Sequence, residues 1–87
     1  MLNSKEIEYR GEVFEVRELT MRQMAPLLPR LTGDEAMQAQ MEMLTLAVYK
    51  DGKPMGDAVL DLGASAFTEL SAAMMDVGGF GASEGND

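Results

Sequence analysis

Lys5-Glu6-Ile7-Glu8-Tyr9-Arg10-Gly11-Glu12-Val13-Phe14-Glu15-Val16-Arg17 alternates polar and apolar side chains on either side of Arg10-Gly11. Successive side chains of a strand point to opposite faces. Ile7 and Tyr9, then Phe14 and Val16, therefore mark one apolar face of a β-hairpin. Gly11 supplies the turn, because it adopts positive φ without steric cost. A two-stranded hairpin alone is barely stable in water, so this face must lie on something. The rest of the chain offers helices for the purpose.

Thr20 followed three residues later by Gln23 matches a capping box, in which the two side chains satisfy the first free N–H groups of a helix. From there Met21, Met24, Leu28 and Leu31 recur at helical spacing. Pro26 and Pro29 lack an N–H and crowd the preceding turn, which predicts a short, kinked or split helix. After Thr32-Gly33, Asp34 is placed to cap a second helix from about Glu35 to Tyr49. Met37, Met41, Leu44 and Val48 line one face of it, and Met43, Leu46 and Ala47 widen the stripe. A helix apolar over so much of its surface is either central or paired with another chain.

Asp51-Gly52-Lys53-Pro54 reads as a turn by residue chemistry, and Asp57–Gly63 as a short mixed segment. A third helix runs from Ala64 or Ser65 to Val77, with Phe67, Leu70, Met74 and Val77 on one face. Gly78-Gly79 would end it through a left-handed residue, with Phe80 packing back onto it. The expected fold class is α+β and mostly α: an N-terminal β-hairpin followed by about three helices and a flexible acidic C-terminal tail. One small domain then spans 1–80, and the flexible tail 81–87.

The charge is −8, and it is unevenly spread. Residues 1–53 hold all seven bases and nine acids, whereas residues 54–87 hold six acids and no base. Such a surface repels phosphate backbones and anionic lipid, which disfavours nucleic acid and membrane as partners. A basic protein partner, or simple solubility, fits better. Met1–Arg17 is charged and alternating, unlike a signal peptide, and no stretch approaches the roughly 18 apolar residues of a membrane span. The expected compartment is the cytoplasm.

Histidine and cysteine are both absent. Disulfide scaffolds and thiolate metal sites are excluded, and the commonest general base and nucleophile pair are missing. Asp57-x-x-x-Asp61 has too few ligands for a Ca²⁺ loop. Gly78-Gly79-Phe80-Gly81 lacks the lysine that a phosphate cradle needs. No cofactor and no catalytic site are expected, so the chain reads as a binding protein rather than an enzyme.

Nine methionines are the oddest feature. Ordinary core filling by a flexible side chain is one explanation. The other is an adaptable apolar surface that grips varied or partly folded sequences, since methionine repacks with little strain. On the second reading the candidate partner-binding residues are Met37, Met41, Met43, Leu44, Phe67, Leu70, Met74 and Met75.

Three stretches carry a family likeness: Tyr9-Arg10-Gly11-Glu12-Val13-Phe14-Glu15-Val16-Arg17-Glu18-Leu19-Thr20, Leu46-Ala47-Val48-Tyr49, and Asp61-Leu62-Gly63-Ala64-Ser65-Ala66-Phe67-Thr68-Glu69-Leu70 with Met74 through Phe80. In them the chain resembles the small tail assembly chaperones of long-tailed bacteriophages. The chain departs from that pattern where Gly78-Gly79-Phe80 replaces an Asn-Gly-hydrophobic end, and where Gly63 stands for a more usual proline. The resemblance implies a mostly helical protein of the bacterial host cytoplasm. It would bind the long apolar tape measure protein and keep it soluble while the tail tube polymerises. Self-association is left open, as is a longer frameshifted form. A second reading is a phage-encoded protein that occupies and inhibits a host protein, which the chaperone role does not exclude. On the sequence alone, Met41→Asp is expected to damage core or partner surface, and Glu42→Ala to do little. Circular dichroism with size-exclusion chromatography separates unfolding from lost association.

Overall fold

A computed structural model describes residues 2–78. β1 (Ser4–Tyr9) and β2 (Glu12–Arg17) form the expected antiparallel hairpin, with Tyr9 opposite Glu12. Arg10 and Gly11 both take positive φ, 53° and 85°. Two consecutive positive-φ residues make the loop whose twist suits a two-residue hairpin.

The same geometry recurs later and changes the fold. α2 (Ala36–Ala47) stops at Ala47, and Val48 is already extended at φ −96° and ψ 128°. β3 (Val48–Lys50) and β4 (Lys53–Pro54) then pair across Asp51 and Gly52, whose φ values are 56° and 81°. β3 also pairs with β2, placing Val48 opposite Val16 and Tyr49 opposite Glu15. The product is a four-stranded antiparallel sheet in the order β1-β2-β3-β4. This overturns the expected mostly-α fold with a lone hairpin; the chain is α+β and roughly half helical. The helix expected to reach Tyr49 gives way because β-branched Val48 and aromatic Tyr49 favour extended backbone beside a ready-made hairpin turn.

The helical layer consists of α1 (Met21–Met24), a 3₁₀ segment (Leu28–Thr32), α2, a second 3₁₀ segment (Gly56–Asp61) and α3 (Ala64–Val77). The capping box forms: the Gln23 N–H donates to Thr20 Oγ1 at 3.1 Å, and the Thr20 N–H to Gln23 Oε1 at 2.9 Å. Pro26 and Pro29 break the helical path beyond α1, leaving Leu27 as the buried anchor of this stretch. Asp34 does not cap α2. Glu35 occupies that position, without a side-chain cap bond. Gly78 ends α3 at φ −84°, so the left-handed stop does not form there. The expectations for Gly79, Phe80 and residues 81–87 lie outside the described residues.

Pairing and alternation put Ile7, Tyr9, Phe14, Val16 and Val48 on the face that meets the helices. α3 lies along this face beneath β1 and β2 and runs antiparallel to β1. Tyr9 Oη meets Ser65 Oγ at 2.7 Å near its start, and Lys5 Nζ donates to Asp76 Oδ2 at 2.8 Å near its end. Gly63 passes directly under Tyr9. A Cβ there would come within 2.7 Å of the Tyr9 hydroxyl, so a larger residue would have to displace it.

The core-facing side of α2 is Ala39, Met43, Leu44 and Ala47, whereas Met37 is 63% exposed. The helix is therefore rotated relative to the Met37–Met41–Leu44–Val48 face expected from its large side chains. Ala39 and Ala47 have no exposed surface, and their small size lets α2 approach its neighbours. Ala47→Leu should consequently cost about 1–3 kcal/mol by overpacking. Met37→Ala should stay within about 0.5 kcal/mol. Urea denaturation followed by circular dichroism checks the contrast, and equal effects would restore the large-residue face as the buried one.

Candidate partner-binding clefts

Two apolar clefts open between the helices. The first, of about 470 Å³, lies between the Glu18–Leu28 stretch on one side and α2 and α3 on the other. Its lining comprises five methionines (Met21, Met24, Met43, Met74 and Met75) with Leu19, Ala25, Leu28, Glu18 and Gly78. The second, of about 370 Å³, is bounded by Met37, Met41 and Leu44 of α2 and by Val59, Leu60 and Leu62 of the second 3₁₀ segment. Gly63 and Ala64, Ala66, Phe67 and Leu70 of α3 complete its wall.

All eight residues singled out from the sequence line one of these clefts, but not the same one. Met43, Met74 and Met75 belong to the first, and Met37, Met41, Leu44, Phe67 and Leu70 to the second. Their exposure differs sharply. Met43, Leu44, Leu70 and Met74 are buried and form floors, Met41, Phe67 and Met75 are half-buried walls, and Met37 projects into solvent. The sequence reading missed Met21, which is 89% exposed, and also Met24, Leu28 and Leu60. Met21, Met24 and Leu28 carried a signal, since their helical spacing was evident. What spacing could not tell was that they face Met43 and Met74 across a gap.

One polar device holds the wall of the first cleft in place. Arg30 Nε donates to Glu35 Oε1 at 2.9 Å, while Nη1 and Nη2 donate to Glu42 Oε1 and Oε2 at 3.1 and 2.9 Å. This fork ties the Leu28–Thr32 segment to α2. Glu42, expected from the sequence to be dispensable, is thus one of the two groups that pin it.

Among the described residues no group of three Asp or Glu side chains converges to hold a metal ion, and no helix is long and apolar enough to cross a membrane. Compared with protein families, curated proteins and solved structures, the chain matches none.

Hydrogen bonds from Arg30 hold the Glu42 carboxyl below its ordinary value of 4.5, with burial opposing the shift more weakly. A carboxylate whose folded pKa is depressed stabilises the fold fully above its unfolded value and loses that contribution as pH falls through the folded one. The Glu42 contribution should therefore be complete above 4.5 and be lost as pH falls from there through the lower folded value. In Arg30→Ala, the Glu42 titration should move back up toward 4.5 and this acid-sensitive part of stability should vanish. Carboxyl-carbon NMR titration of the two proteins reads the shift. An unchanged Glu42 titration would mean the fork does not persist in solution.

Proposed function

We propose that the chain is an assembly chaperone that binds an apolar helical segment of a long client protein and keeps it soluble. The client, on the resemblance to tail assembly chaperones of long-tailed bacteriophages, is the tape measure protein, and the compartment is the bacterial host cytoplasm. One observation carries the reading: five methionines converge on a single open cleft, with Met21 almost wholly in solvent.

Methionine is unbranched and polarisable, so a wall of such side chains can follow different apolar surfaces without leaving gaps. A client whose sequence varies along its length needs that tolerance. Binding must also be reversible, because a tube eventually replaces the chaperone around its client. An open cleft without buried charge satisfies this, since its contacts can be exchanged one side chain at a time. The net charge of −8 keeps the chaperone and its apolar cargo dissolved.

The test is co-expression with the tape measure protein of the same gene cluster, scored by client solubility. Wild type should hold the client in the soluble fraction. Met21→Ser, at a side chain that contributes almost nothing to the core, should lower the soluble yield while leaving the melting temperature unchanged. A client that stays insoluble with the wild-type chain overturns the reading. Recovery of one host protein at near-stoichiometric yield would replace it with the inhibitor reading.

A further inference from the structure

We propose that the free edge of β1 is a docking strand for an extended basic segment of a partner protein, which adds antiparallel and sets Lys or Arg side chains opposite Glu6 and Glu8. β1 is the first strand in the sheet order, and among the described residues no strand pairs with its other side. Six residues long, this edge presents a row of backbone donors and acceptors that an added strand can satisfy. The opposite edge, β4, has only two residues and contains Pro54, so it offers far less.

Alternation places Glu6 and Glu8 on the face away from the helices, and both are exposed. Glu12, Glu15, Glu35 and Glu42 each lie within ion-pair distance of a cation. Among the described residues Glu6 and Glu8 form no such pair. Glu6 faces Glu15 across the β1–β2 ladder, and Glu15 already holds Arg17. Glu8 faces Val13. Their negative charge is therefore uncompensated at the sheet edge.

The same charges decide what cannot dock. A second copy that pairs antiparallel across β1 lies about a twofold axis normal to the sheet, and its helices stay on the same side. Opposed residues must then share a face. The central registers accordingly set Glu6 against Glu6, or Glu6 against Glu8, and like charges directly opposite are destabilising. A segment patterned basic–apolar–basic meets neither obstacle. Its cations oppose Glu8 and Glu6, and its middle residue sits beside half-buried Ile7. Charge complementarity thus selects a basic strand and rejects a second copy.

The experiment is an NMR titration of the ¹⁵N-labelled full chain with a Lys-Val-Lys-Thr-Lys peptide and with Glu-Val-Glu-Thr-Glu. The lysine peptide should shift β1 amides and bind roughly tenfold tighter than its acidic counterpart, the scale expected for two swapped cross-strand pairs. The double variant Glu6→Lys with Glu8→Lys should reverse that preference, which a non-directional contact would not do. Glu8→Lys alone supplies the missing opposite charges in the self-register. It should convert a monomeric chain into a dimer by light scattering, with unchanged circular dichroism. Equal binding of the two peptides, shifts confined to the methionine cleft, or a Glu8→Lys variant that stays monomeric would each overturn the proposal. A wild-type dimer that Glu8→Lys dissolves would overturn it too, assigning the edge to a second copy.

Discussion

Where Val48 lies opposite Val16, the N-terminal hairpin stops being an isolated ribbon and becomes part of a sheet. Both side chains are fully buried, and they join residues 32 positions apart in sequence. That pairing fixes where α2 must end, because Val48 cannot be helical and lie in the ladder together. It also gives β2 a neighbour on each side, so Phe14 and Val16 rest in a sheet broad enough to support α3. Leu70 of α3, nearly inaccessible, belongs to the same buried cluster. With a chain this short, few residues are available for a core, and losing one such junction removes a large share of it.

The first hairpin was legible because every signal agreed: strict alternation, β-branched and aromatic residues on one side, and a glycine between the arms. The second hairpin carried the same kind of turn in Asp51-Gly52, but its arms are three and two residues long. Arms so short show no periodicity, and the apolar run that leads into them continues a helical pattern without interruption. Only a long-range partner, Val16, decides in favour of strand, and a local reading has no access to it. The orientation of α2 was lost for a related reason. Hydrophobic stripes weigh large side chains heavily, whereas contact distance is set here by Ala39 and Ala47. The eight candidate residues stood out in the sequence because α2 and α3 carry them at recognisable spacing. Their division between two clefts depends on how the helices cross, and that depends on the sheet beneath.

The clefts arise from the same shortage of material. Between Thr20 and Gly33 Leu27 alone is buried, and Met24 and Leu31 pack against the core only in part. Met21, Met24 and Leu28 border a gap instead of closing it. A better-packed protein of this length would be more stable. The Arg30 fork ties the stretch to α2 by polar contacts at the surface.

Arg17 lies 3.8 Å from the centre of the Tyr49 ring on the outer face of the sheet, while Tyr9 is buried on the inner face with its hydroxyl on Ser65. The chain has these two tyrosines and no tryptophan. Its native ultraviolet signal therefore comes from two probes on opposite sides of one sheet, in contrasting surroundings. Tyr9 senses whether α3 is docked, and Tyr49 senses what happens at the open surface under a cation. Undocking of α3 and disruption of the outer sheet face should thus leave separate optical traces without any added label.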